Sequence, residues 1–251
     1  MKFSLSPKEL NNWKARITER LIEYYFEQNL IPKLKQEEGW DTLLVISCPW
    51  FTTEGSSFQL EFNEIFQLER LVFLSNGLLP RAELLSNFDE LTRTLRNVPD
   101  GFLVKLKKTG ESKSLKDGMA EMGLRKSLRV SHGNILMKSR FELELEQKHY
   151  FKTLNEHGYA IEKFLRFDVE KHDENEQFLV VDGEIEVIEV KAGKGFIPPS
   201  QKESYRAILE KGYSLRYFHV DIVSFERNHF EIEEKLIRNP NELEGLRKLS
   251  L

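Results

Sequence analysis

From Phe178 to Ala192 the chain reads FLVVDGEIEVIEVKA, two β-rich runs on either side of Asp182 and Gly183. Short runs this rich in β-branched residues read as strands that bury apolar side chains in a core. Such a run must lie in a sheet with something packed against it. A chain of 251 residues has the length to supply that cover. The run is broken at Asp182 and Gly183, the dipeptide favoured in type I′ turns. The pattern therefore predicts a hairpin of Phe178–Val181 and Glu184–Ala192.

The neighbouring segments predict an α/β arrangement around this hairpin. A helix is expected from about Ser139 to Asn155, ended by His157 and Gly158, followed by a strand from Tyr159 to Val169. After the hairpin, Pro198, Pro199 and Ser200 introduce a helix through Leu209. Gly212 ends it before a strand from Leu215 to Val220. In the first half, Ser6, Pro7 and Glu9 open a long helix carrying Trp13, Ile17, Leu21, Tyr24 and Tyr25. Thr42–Cys48 reads as a buried strand, and Phe58, Phe62, Ile65, Phe66 and Phe73 form one face of a second helix. Asn87 and Glu90 signal a third helix that stops at Pro99 and Gly101, with a strand from Phe102 to Lys107. Glycines, serines and basic residues dominate from Thr109 to Asn134 and suggest a connector. The expected division is an α/β domain over residues 1–133, basic connector included, and a second domain over residues 134–251.

Composition removes several classes. The lone Cys48 permits neither an internal disulfide nor a cysteine-rich zinc site, and the six histidines show no metal-binding spacing. No apolar run is long enough to span a membrane and the first residues do not resemble a signal peptide, so a cytoplasmic protein without membrane contact is expected. Net charge is only −4, but it is unevenly spread. Between Phe102 and Arg140 ten basic residues, among them Arg125, Lys126 and Arg129, face three acids. Contacts from such a segment to phosphates would position a nucleic acid without reading its sequence.

Glu189 and Lys191 stand two apart in the second run, and so share one strand face with Ile185 and Val187. An acid and a lysine so placed form at the least an ion pair on a sheet. Glu176 stands just ahead of the first run. Gln201 and Tyr205, four apart on the following helix, share a face.

The stretch EQFLVVDGEIEVIEVK, Glu176 to Lys191, resembles the PD-(D/E)xK nucleases, particularly archaeal Holliday-junction resolvases, the VRR-NUC group and RecB-type exonucleases. In those enzymes an acid precedes one strand and the next strand ends in (D/E)xK. Gln201 and Tyr205 look like the QxxxY motif of the RecB-type members, and Glu146 is similar in placement to their helix glutamate. The resemblance covers roughly residues 139–221. It implies a restriction-endonuclease-like mixed sheet flanked by helices, and a metal-dependent nuclease acting on DNA more than RNA, with branched or single-stranded DNA preferred. Glu176, Glu189, Lys191 and Gln201 are its implied catalytic residues. Glu176 and Glu189, the Val190 carbonyl and Glu146 are the implied ligands of Mg²⁺ or Mn²⁺, hard cations that suit carboxylate oxygens. Lys194, Tyr205, Arg125, Lys126 and Arg129 are expected at the nucleic acid. The N-terminal domain would select substrate or support a homodimer.

One departure from the family is that glutamate stands at 176, where aspartate is usual. A nuclease-fold protein that binds nucleic acid without cutting it is therefore the alternative, alongside an RNA-directed or host-defence nuclease. Pro99 and Asp100 spell the first part of the family motif, but no acid follows in the ExK position behind them, so they read as a turn. Gly193 and Gly195 read as a loop leaving the ExK strand, not as a phosphate loop.

Overall fold

The computed structural model describes residues 14, 17–18, 20–47, 73–74, 76–96, 99–121, 152–154, 160–162, 172–193, 195–224 and 229–246. The chain is α/β. A first helix, α1, runs through residues 20–37 with a π-helical turn at Phe26–Leu30, and leads into β1 (Thr42–Ser47). Then come β2 (Leu78–Pro80), α2 (Ala82–Thr94), β3 (Gly101–Ser114) and α3 (Leu115–Glu121). Two short strands, β4 (Lys152–Leu154) and β5 (Ala160–Glu162), precede the long β6 (Gln177–Ala192). The chain continues through α4 (Pro199–Glu210), β7 (Ser214–Ser224), β8 (His229–Ile237) and α5 (Glu242–Gly245).

All eight strands belong to one mixed sheet in the order β5-β4-β1-β3-β6-β7-β8, with β2 alongside β6. β3 runs antiparallel to β1 on one side and to β6 on the other, while α4 carries the chain over the sheet so that β7 lies parallel to β6. Alternation within the central strands feeds two cores. Leu43, Val45, Leu103, Ile188, Phe218 and Val220 face α1, where Ile22, Phe26, Leu30, Ile31 and Leu34 cover them. Leu44, Phe102, Val104, Val187, Leu215 and Tyr217 face α2, α4 and α5, meeting Leu84, Phe88, Leu91, Tyr205, Ile208 and Leu243. Strands apolar on both faces are what a sheet covered on both sides requires.

The α1 side also buries charge. Lys105 bonds Glu186 at 2.8 Å and Glu184 at 3.0 Å, and Arg216 bonds Glu186 at 2.6 Å and also pairs with Glu234. Tyr25 on α1 donates to Glu234 at 2.6 Å, tying the helix to the network. Burial opposes each charge, but the partners prevail: Glu186 is held below the usual carboxylate range while Lys105 and Arg216 are pushed up.

Four expectations are corrected. Asp182–Gly183 does not turn the chain, because β6 runs through it without a break, so the hairpin over 178–192 is absent. The residue type is explained by crowding: a Cβ on Gly183 would lie 2.0 Å from the Lys105 carbonyl oxygen of β3. The division at residue 134 does not separate two sheets, because β1 and β3 from the first half pair with each other and β3 with β6 of the second. β3 itself extends past Lys107 to Ser114 and passes directly into α3, occupying what was read as connector. Finally, Lys152–Leu154, expected at the end of a helix, forms β4 and pairs with β1. The helix expected over Phe58–Phe73 falls outside the described residues except at Phe73, which is helical and buried.

Candidate active site

β3 begins immediately after Asp100, and β6 ends immediately after Lys191. Because the two strands are antiparallel with Gly101 opposite Ile188, these two ends meet, and Asp100 comes to lie opposite Glu189. Two hydrogen bonds fix the meeting point. The Asp100 N–H donates to the Ile188 carbonyl at 3.1 Å, and the Val190 N–H donates to the Asp100 Oδ2 at 2.6 Å. Alternation from Phe102 and Val187, both in the core under α2 and α4, directs Asp100 and Glu189 to that same face.

Glu189 is fully buried, at 0% exposure. Its Oε2 accepts hydrogen bonds from the Tyr205 hydroxyl and, at 3.0 Å, from Gln201 Nε2, which also bonds the Tyr205 oxygen at 2.9 Å. Gln201 and Tyr205 sit one turn apart on α4 and reach the sheet because the Pro198–Pro199 entry starts the helix close to the end of β6. The other oxygen, Oε1, is buried and paired with the Lys191 ammonium. Burial pushes the Glu189 carboxyl up to about 7, with the negative charge of Asp100 adding to the rise, while Lys191 and the Tyr205 hydroxyl pull against it. The Tyr205 hydroxyl is held well above its ordinary value by burial and by Glu189. On β7, Tyr217 is opposite Glu189 and His219 opposite Lys191. Burial and then Glu189 push the Tyr217 hydroxyl up to about 12.

Of the residues expected here, Glu189, Lys191, Gln201 and Tyr205 converge. Val190 contributes its N–H to Asp100, and its half-buried side chain faces α1. Glu176 is elsewhere. It precedes the opposite end of β6, beside the β3–α3 junction, where its carbonyl accepts from Leu115 and its carboxylate bonds His172 at 2.7 Å. About 40 Å of extended strand separates it from Glu189, so the expected pairing of these two acids at one metal is corrected. Glu146, Lys194, Arg125, Lys126 and Arg129 lie outside the described residues.

The acid that does stand beside Glu189 is Asp100, read from sequence as part of a turn. Its signal was the Pro99–Asp100 dipeptide, followed by a strand. What was missing was the knowledge that this strand pairs with the one ending in Glu189–Val190–Lys191. Among the described residues no group of three or more histidine, cysteine, aspartate or glutamate side chains could hold a metal ion, so a cation here would rest on two carboxylates and main-chain or water oxygens. No described helix is long and apolar enough to cross a membrane.

Compared with models of known protein families, with curated proteins and with solved structures, the chain matches none.

Proposed function

We propose that the chain is a metal-dependent nuclease hydrolysing phosphodiester bonds in DNA, with Asp100, Glu189 and Lys191 as its reacting groups. The observation that carries this reading is the meeting of Asp100 with Glu189 and Lys191 across the β3–β6 pair, with Glu189 held by Gln201 and Tyr205. These residues spell a PD…ExK constellation with QxxxY on the next helix. The order α1, β1, β3, β6, α4, β7, antiparallel through the first three strands and parallel at the last, agrees with a restriction-endonuclease-like core. Asp100 takes the place first given to Glu176, and an aspartate there removes the departure that favoured a non-cutting relative.

The site suits a hard divalent cation. Two carboxylates lie together, one of them buried with a raised pKa, and a cation between them would offset both the burial of that charge and the repulsion from Asp100. Mg²⁺ or Mn²⁺ would be held by Asp100 and Glu189 with the Val190 carbonyl alongside, and retained waters would complete the shell. When bound, such a cation polarises a phosphate and lowers the pKa of a bound water. Gln201 and Tyr205 fix the Glu189 carboxylate through Oε2 and so leave Oε1 directed at the site. Lys191 supplies a fixed positive charge there, able to hold a water and to offset charge that builds on the phosphate.

The test is cleavage of single-stranded, duplex and branched DNA with Mg²⁺ or Mn²⁺, using the wild type, Glu189→Ala and Lys191→Ala. Cleavage that requires metal and is lost in both variants is the expected result. A folded wild type that cuts none of these DNAs would overturn the reading.

A further inference from the structure

Phe196 stands apart from the other large apolar side chains. Only it and Tyr24 are exposed among those described, Phe196 at 71%. Its surroundings hold it outward. On one side Ile197 is buried in the core under α4, and Pro198 and Pro199 lead into that helix. On the other, the Gly195 N–H closes a tight turn onto the Ala192 carbonyl at 3.0 Å. This turn folds back over the end of β6: a Cβ at Gly195 would be 3.4 Å from the Lys191 Cβ. Phe196 is the next residue, so its Cα follows that of Gly195 by about 3.8 Å. Phe196 is thus an exposed ring on a held backbone, with its Cα within about 9 Å of the Lys191 Cβ.

We infer that Phe196 is a stacking platform for an unpaired base next to the phosphate held at Asp100, Glu189 and Lys191, which makes single-stranded DNA, or the unpaired arm of a branched one, the substrate of this site. The inference rests on the nuclease reading for its phosphate. Bases inside a duplex are stacked on each other and offer no free face to a protein ring beside the backbone, whereas a splayed base does, whatever its identity. An exposed ring one loop away from the phosphate-binding lysine is therefore useful to a single strand and idle against an intact duplex. The same ring would confer no sequence preference, because every base has a face to stack.

The probe is a single-stranded oligonucleotide carrying 2-aminopurine, whose fluorescence falls on stacking, titrated with the full chain in Ca²⁺, a hard cation for the same carboxylates, under conditions where the strand is checked to stay intact. The wild type should bind and quench it. Phe196→Ala should lose affinity by roughly tenfold or more together with the quench, and Phe196→Trp should keep both. With Mg²⁺ or Mn²⁺, Phe196→Ala should slow cleavage of single strands more than of duplex. Equal affinity and quench in wild type and Phe196→Ala, or equal slowing on single-stranded and duplex DNA, would overturn the inference. The two readings fail separately. A wild type that cuts DNA while Phe196→Ala matches it throughout would sink the stacking role alone, and one that quenches the probe through Phe196 but cuts nothing would sink the nuclease alone. No binding and no cutting would sink both.

Discussion

Gly183 offers a substitution that separates a continuous β6 from a hairpin. Asparagine tolerates the left-handed conformation of a type I′ turn, so at a hairpin tip Gly183→Asn would be nearly neutral. In the structure the position instead faces the β3 backbone, and any Cβ there lies 2.0 Å from the Lys105 carbonyl oxygen and 3.1 Å from a Leu106 methyl. Reaching even 3.0 Å requires one strand to retreat by about 1 Å in a packed sheet. That movement would disturb the pairing on both sides, where Lys105 is opposite Glu184 and Leu106 opposite Gly183. Overpacking of this kind costs roughly 1–3 kcal/mol. With Lys105 also anchoring the buried charges on the other face, we expect the upper end, about 3 kcal/mol, or a fall in Tm of roughly 6–12 °C for a chain of this size. Thermal unfolding followed by circular dichroism reads this directly. A Gly183→Asn variant melting within about 2 °C of wild type would refute the close approach and restore the turn.

Three further outcomes follow from the buried charges. In EDTA, Glu189, with its folded pKa raised to about 7, favours the folded state while protonated. Its contribution is complete below the unfolded pKa and lost as pH rises to about 7, so roughly 2.5 kcal/mol of stability should disappear between pH 5 and pH 7.5, and Glu189→Gln should lack that slope in urea titrations. Arg216→Met leaves Glu186 buried with Lys105 as its remaining close cation, and should lower the unfolding free energy by roughly 3 kcal/mol, measured from the urea midpoint. Tyr205→Phe removes one of two donors to Glu189 Oε2 and should cost roughly 1–2 kcal/mol, read in the same titration.

Local chemistry was legible where it depended on spacing within one element. Glu189 and Lys191 share a face because strands alternate, and Gln201 reaches Tyr205 because four residues make a helical turn. The strands Thr42–Ser47 and Ser214–Ser224 and the helix Pro199–Glu210 fall close to where period and flanking residues placed them. What spacing could not reveal was pairing between distant segments. Pro99–Asp100 carried half of the site's signature, but its strand partner is some ninety residues later in the chain, with other elements between. A second acid nearer in sequence, Glu176, was therefore preferred. Asp182–Gly183 misled for a related reason: a glycine serves a tight turn and a close backbone approach equally well, and only the β3 neighbour distinguishes them. Reading that dipeptide as a turn also cut β6 in two, and reading the glycines, serines and basic residues after Thr109 as a connector drew a domain boundary through a single sheet.

The most direct test of this account compares two acids, one at each end of β6. Cleavage of single-stranded DNA with Mg²⁺ or Mn²⁺ should be measured for wild type, Asp100→Asn and Glu176→Gln, with folding checked by circular dichroism. The predicted result is that Asp100→Asn falls by about a hundredfold or more while Glu176→Gln cuts like wild type. Full activity in Asp100→Asn, with activity lost in Glu176→Gln, would contradict it.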